Sequence, residues 1–185
     1  MRDQSEAEDW AAVVRGDAQA FGRIFDLHQA QVFRHSRRLV DDLEDARDVV
    51  ATTFLEAWRR RSSVRVVNGS VAPWLIVTAT NVSRNLVRAR RRYRSMLSEL
   101  PLPRHDSGAD IELHGELTVA LASLPIDQQR VVALCLMEGF SEAAAATALH
   151  IPPGTVKSRL ARARESMRHI LSTSSASGHA PLESI

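Results

Sequence analysis

The chain has 185 residues, 44% of them hydrophobic, and a single cysteine, Cys135. That length suits one domain or two small ones, and one cysteine excludes an intrachain disulfide, as expected in a reducing compartment. The formal net charge is only +2, so bulk charge excludes neither nucleic-acid nor protein partners and its distribution has to decide.

From the N-terminus, Met1 to Asp9 is acidic and polar and does not read as a signal peptide. Ser5 is placed to cap a first helix that turns Trp10, Val13 and Val14 inward and stops at Gly16. Asp17 caps a second, with Phe21, Ile24, Phe25, Leu27, Val32, Phe33 and Leu39 as its apolar set. Asp41-Asp42 starts a third, carrying Leu43, Ala46, Val49, Val50, Phe54, Ala57 and Trp58 on or near one stripe. The β-branched run Val64 to Val71 is interrupted by Asn68-Gly69, a turn pair, and between helical neighbours it reads as a loop. Pro73 favours a helix start just after it, and that fourth helix runs on through Arg94.

Composition then shifts. Leu100 to Gly108 holds two prolines, a glycine and no helical period, which marks a flexible linker. Four more helical patterns follow: Ile111 to Ser123, Ile126 to Met137, Ser141 to Leu149 and Thr155 to Leu171. The Ser/Ala/Gly-rich tail is expected to be disordered. The expected architecture is therefore all-α, with two small helical domains over residues 1–96 and 111–172, a linker over 97–110 and a tail over 173–185. No apolar run reaches membrane-spanning length.

The last two patterns and the turn between them form a helix-turn-helix, a DNA-reading unit. Successive residues at about 100° place Val156, Leu160, Ala163, Met167, Ile170 and Leu171 on one face of the last helix. Lys157, Ser158, Ala161, Arg162, Glu165 and Arg168 fall on the other, with Arg159 at the border. The N-terminal half of such a helix meets major-groove base edges, where Arg and Lys pair with guanine, Ser donates or accepts, and small Ala permits close approach. Thr155 reads as the helix cap, with backbone amides that suit a phosphate.

Two further helices have opposite electrostatic character. Of the 24 basic residues all but Lys157 are arginine, and Arg84, Arg88, Arg90, Arg91, Arg92 and Arg94 cluster without an intervening acid. Asn81, Arg84, Arg88 and Arg91 share a stripe of three-to-four spacing that suits phosphates, and the Asn81 amide suits a base. Asp41, Asp42, Glu44, Asp45, Asp48 and Glu56 make the third helix acidic, which repels nucleic acid and suits a basic protein surface. The seven His show no metal-ligand spacing, and there is no Ser-His-Asp order in a suitable setting and no phosphate-cradling Gly loop. An enzyme, a cofactor and a metal are accordingly not expected.

These residues resemble the bacterial RNA polymerase sigma factors of the extracytoplasmic-function type over about Ala20 to Leu171. Asp45-Ala46-Arg47-Asp48-Val49-Val50 with Thr53-Phe54-Leu55-Glu56-Ala57-Trp58-Arg59 resembles the helix that docks on the polymerase clamp. Pro73-Trp74-Leu75 with Ala79-Thr80-Asn81 and the Arg run resembles the helix that meets the minus-ten element. Leu124-Pro125, Gln129-Arg130-Val131-Val132, Gly139-Phe140-Ser141 and Gly154 to Arg164 resemble the minus-thirty-five reader. The chain departs from the family pattern at Ala51-Thr52, at Thr80 (usually Arg), at Asn85 (often Asp), at Ala144-Ala145-Ala146, and at His150, where glycine is frequent.

The resemblance implies a cytoplasmic factor that binds core RNA polymerase and promoter DNA, and often an anti-sigma partner. Thr155, Lys157, Ser158, Arg159, Ala161 and Arg162 would read the upstream element. Asn81, Arg84, Asn85, Arg88 and Arg91 would meet the downstream one, with the Ser62 to Ala72 loop helping to hold an unstacked base. Asp45, Asp48, Thr52, Phe54 and Glu56 would face the polymerase. Two rivals are a helix-turn-helix regulator that acts without polymerase, and a polymerase-binding decoy that does not open DNA.

Overall fold

The structure, a computed structural model, describes residues 2–97 and 112–177. Of the expected linker only Leu97 is described, as the last residue of a helix; the rest of it and the end of the tail lie outside the described residues. Among those described there are helices and no strand, and no helix is long and apolar enough to cross a membrane.

Helices α1 (Arg2–Val14), α2 (Ala18–Arg37), α3 (Leu43–Arg59) and α4 (Ala72–Leu97) form the first unit. Asp17 Oδ1 accepts from the Gln19 and Ala20 amides at 2.8 and 3.1 Å, and Asp42 Oδ1 accepts from Glu44 N at 2.7 Å. Both helices thus begin where the sequence placed their caps. Trp10, Val13, Ile24, Val32, Val49, Phe54, Val71 and Leu75 fill the core. Phe54 meets Phe25 edge-on at 4.7 Å and Phe21 at 6.2 Å, while Phe21 packs on Trp58 at 5.1 Å. Three expectations need correction. Helix α1 is already formed at Arg2, ahead of Ser5. Val14, Leu27 and Leu43 are exposed, each lying just off the buried stripe of its helix. The fourth helix includes Pro73 in its first turn, where the missing N–H costs nothing.

The second unit comprises α5 (Glu112–Ser123), α6 (Ile126–Val132), a π-helical segment (Ala133–Met137), α7 (Glu142–Leu149) and α8 (Pro153–Ser177). Leu121, Leu124, Val131, Leu134, Ala145, Val156, Leu160 and Ala163 make its core. Buried Gln129 donates to the carbonyls of Leu121 at 2.9 Å and Leu124 at 3.0 Å, satisfying acceptors left open where α5 ends. What the sequence presents as one helix to Met137 widens into a π turn, with Glu138 N bonded to Ala133 O at 3.1 Å. Ser141 caps α7 through Ala144 N at 3.1 Å. His150 ends it in the left-handed region, φ 55° and ψ 43°, the conformation that makes glycine common there. Thr155 is not the cap of α8, which begins at Pro153. The helix also continues to Ser177, into the stretch expected to be tail, because no Gly or Pro interrupts it before Gly178.

The two units touch. Ile76 of α4 is fully buried in the second core, with Leu39 and Val77 packed beside it.

Candidate nucleic-acid interface

Helix α8 is oriented by its apolar face. Val156, Leu160 and Ala163 are buried, which leaves Lys157, Ser158, Ala161, Arg162 and Arg168 exposed in the predicted order. The Ala144 to Ala146 run is buried beneath it, small enough to let α7 and α8 cross closely. Thr155 is half-buried in the first turn. Arg159 is held at the border: its Nη2 donates to Asp127 Oδ2 at 2.9 Å. Sequence reasoning passed over Asp127, because the contact bridges α6 and α8.

On α4, Asn85, Arg88 and Arg91 are exposed, while Asn81 and Arg84 are half-buried. Asn81 Oδ1 accepts from Arg130 Nε at 2.9 Å, and Arg130 Nη1 donates to Asp127 Oδ1 at 3.4 Å. A single polar chain, Asn81–Arg130–Asp127–Arg159, therefore joins the two basic helices. Arg84 Nη1 and Ser83 Oγ are enclosed without a hydrogen-bond partner beside a cavity of about 40 Å³ shared with Leu121, Ala122 and Gln129. The arginine run is not wholly free of counter-charge. Arg90 pairs with Asp45 and lies 3.9 Å from Asp42. Burial pushes the Asp45 carboxyl above its ordinary value of 3.8; Arg90 opposes this, and Asp42, Asp48 and Asp41 add to it.

That pairing corrects the reading of α3. Asp45 and Phe54 are buried, one against Arg90 and the other in the core. They position the helix and offer no surface. Glu56 is engaged by Arg60 at 2.9 Å and Arg59 at 3.6 Å. The open stripe of α3 is Asp48, Ala51, Thr52 and Leu55, spaced at i, i+3, i+4 and i+7. Beside it runs a shallow groove between α2 and α3 lined by Phe25, Gln29, Phe33 and Val50. On the second unit, Leu136, Met167 and Leu171 form another apolar surface. Half-buried Cys135 packs against the second core, where burial raises its thiol.

The loop before α4 is pinned at one point. Asn68 and Gly69, both at positive φ (52° and 79°), make a tight turn closed by Val67 N to Ser70 O at 2.8 Å and Ser70 N to Val67 O at 3.1 Å. Val64, Val67 and Val71 anchor it in the first unit, and Asn68 is exposed at its tip. Glu6 Oε1 accepts from Ser70 Oγ at 2.9 Å, Val71 N at 2.7 Å and His28 Nε2 at 2.8 Å. Burial pushes this carboxyl up, but the bonds from His28, Val71 and Ser70 and the His28 charge prevail and hold it below 4.5. Glu6 lies in α1, in the acidic polar stretch ahead of the apolar set Trp10, Val13 and Val14, so no local signal marked it. Among the described residues no His, Cys, Asp and Glu gather as a metal site.

The Sigma-70 region 2 family profile matches residues 24–93, and the Sigma-70, region 4 profile residues 114–167. The ECF RNA polymerase sigma factor SigM of Mycobacterium tuberculosis (strain ATCC 25618 / H37Rv) is 34% identical over 169 residues, 91% of this chain and 86% of that protein. The ECF RNA polymerase sigma factor SigW of Bacillus subtilis (strain 168) is 25% identical, covering 84% of this chain and 91% of that protein. Among solved structures, CnrH in complex with the cytosolic domain of CnrY has a TM-score of 0.62 at 24% identity, covering 91% of this chain and 98% of that one. The sigma factor RpoE in complex with the anti-sigma factor NepR, from Bartonella quintana, has a TM-score of 0.55 at 24% identity, covering 84% and 98%. These two structures share the fold.

Proposed function

The chain belongs to the extracytoplasmic-function RNA polymerase sigma factors, which bind core polymerase, direct it to specific promoters and assist melting, and from that membership we propose how its surfaces divide the work. Helix α8 reads the upstream element as duplex through Lys157, Ser158, Ala161 and Arg162, with Arg159 oriented by Asp127 and the Thr155 turn against the backbone. Helix α4 meets the downstream element through Asn81, Arg84, Asn85, Arg88 and Arg91. The Ser62 to Ala72 loop, pinned by Glu6, helps hold an unstacked base, so strand opening needs no covalent step.

The polymerase contact is the open α3 stripe, Asp48, Thr52 and Leu55, with the α2–α3 groove. Buried Asp45 and Phe54 support that stripe from within the chain, and half-exposed Glu56 joins the contact beside Arg59 and Arg60. The apolar surface around Leu136 and Met167 supplies a second contact. Residues 1–96 and 111–172 act as the two domains and 97–110 as their linker. An anti-sigma factor is a further partner, of the kind bound in the RpoE structure.

One observation carries this reading: a single chain exposes a cationic reading helix and, on a different helix, an acidic stripe flanked by apolar groups. The test is co-elution of the purified chain with core polymerase at low salt, followed by permanganate footprinting of a bound promoter. A stoichiometric complex with reactive thymines near the start site is expected. Promoter binding by the free chain, with no polymerase complex, would contradict the proposal.

A further inference from the structure

We propose that Glu6 is a positioning residue for promoter melting: its carboxylate ties the Ser62 to Ala72 loop and the opening of α4 to helices α1 and α2, and so sets how selectively the loop holds an unstacked base. The proposal rests on the reading of that loop as the base-holding element.

The loop needs an outside anchor. Its exposed side carries Ser62, Ser63, Arg65 and Asn68, and its buried side is Val64, Val67 and Val71. The valines fix its depth but not its direction, because apolar burial is non-directional. The turn at Asn68-Gly69 is closed by bonds within itself, between Val67 and Ser70, so it can swing as one piece. Direction has to come from polar contacts with another element. Among the described residues, the hydrogen bonds that reach residues 67–72 from α1, α2 or α3 both end on Glu6.

Glu6 Oε1 accepts from Val71 N at 2.7 Å and from Ser70 Oγ at 2.9 Å. Ser70 Oγ accepts in turn from Ala72 N at 3.1 Å. One carboxylate thus fixes the last residues of the loop and the first of α4. Helix α4 has no acidic residue of its own in its first turn, and Glu6 places a negative charge there, where the helix dipole favours it.

The carboxylate is itself held. His28 Nε2 of α2 lies 2.8 Å from the same oxygen, and both side chains are almost fully buried. A buried carboxylate is costly unless bonded, so Glu6 has few other places to go. Further along α1, Asp9 accepts from Arg23 Nε at 3.0 and 3.2 Å, and Trp10 and Val13 seat the helix in the core. Three helices therefore converge on the residue that aims the Asn68 tip. Glu6 lies ahead of residues 24–93, the span of the region 2 match, so this strut comes from outside it.

The experiment uses holoenzyme reconstituted from core polymerase and the intact chain, captured on a library of fork-junction DNAs. The library is randomised in the upstream duplex and in the single-stranded downstream segment, and sequencing the bound fraction gives the base preference at each position. Wild type, Glu6→Ala and Glu6→Gln are compared, with Val49→Ala as a truncation in the same core that leaves every hydrogen bond of the loop in place. Circular dichroism confirms that each is folded at the assay temperature. In Glu6→Ala the upstream preference should be unchanged. Its preference at the downstream base held by the loop should fall about tenfold, as a loop correctly placed about a tenth of the time would give. Glu6→Gln keeps an oxygen for Val71 N and should recover most of that preference. Val49→Ala should match the wild type at both elements. Ser70→Ala keeps the carboxylate and loses one donor; it should show a smaller loss at the same base, and it carries the test where Glu6→Ala does not fold.

Wild-type preference at every downstream position in Glu6→Ala, or in Ser70→Ala where the former does not fold, overturns the proposal. An equal loss in Val49→Ala, or no recovery in Glu6→Gln, overturns it too, because either reduces Glu6 to a general stabiliser. A wild type with an upstream preference and none downstream is a different result: it overturns the base-holding reading of the loop, and the proposal with it.

Discussion

Replacing Glu6 by alanine is the most demanding stability test, because one oxygen serves three donors. Oε1 lies 2.7 Å from Val71 N, 2.8 Å from His28 Nε2 and 2.9 Å from Ser70 Oγ, and Glu6 and His28 are 7% and 6% exposed. Truncation strands the Val71 amide and the His28 ring away from water. A stranded buried donor costs about 1–3 kcal/mol, and this truncation strands two of them. The expected loss is therefore about 2–6 kcal/mol, a large share of the ~5–15 kcal/mol that holds a typical domain together. Glu6→Gln keeps a carbonyl oxygen of the same shape and should lose about 1–2 kcal/mol. Urea unfolding of the full chain, followed by far-ultraviolet circular dichroism, measures both. Hydrogen exchange at Ser70 and Val71 should accelerate in Glu6→Ala, since their amides close the turn and begin α4. An alanine variant within about 0.5 kcal/mol of wild type, the range of an ordinary surface substitution, would refute the network's role.

Three further outcomes follow from the same geometry. Arg162→Ala should lower use of one upstream sequence by about 5- to 150-fold, the worth of a bidentate base contact of ~1–3 kcal/mol, while polymerase binding and folding stay unchanged; run-off transcription from base-substituted promoters measures this, and equal loss at every sequence would contradict base reading. Asp48→Arg should reduce co-elution with core polymerase at least several-fold, since Asp48 is exposed and its reversal repels a basic surface; undiminished recovery removes α3 from that contact. Glu6 and Glu138 both lie below their ordinary value of 4.5: burial raises each, but bonds and charge from His28 and Val71 in one case, and from His35, Gln31 and Arg38 in the other, prevail. A depressed folded value means their contribution is complete above about pH 4.5 and is lost as pH falls through the folded values. Through these groups the wild-type thermal midpoint should therefore change little with pH above that value and fall below it, with a shallower acid decline in Glu6→Ala.

Local chemistry was the legible part of the sequence. The Asp17 and Asp42 caps and the two faces of α8 each depend on residues within a few positions, so spacing alone specified them, whereas the turn at His150 was marked by the family resemblance. Long-range pairing was not legible. Asp45 looked like free acid until α4 brought Arg90 to it, and Phe54 looked available until α2 supplied Phe25. Glu6 and Glu138 find their partners on helices distant in the chain, and neither has a neighbour in sequence that signals burial. The hydrogen bond at Asn81 is of the same kind: its stripe was readable, but the arginine that donates to its carbonyl comes from α6. Thr155 shows the remaining limit, since Pro153 can open a helix as readily as the hydroxyl can cap one.

The most direct measurement is transcription of fragmented genomic DNA by purified core polymerase, with and without the chain, followed by mapping of the RNA 5′ ends. Start sites that arise only with the chain, and that share one upstream and one downstream element at constant spacing, are the predicted result. A set of start sites unchanged by the chain, under conditions where it still binds DNA, would contradict it.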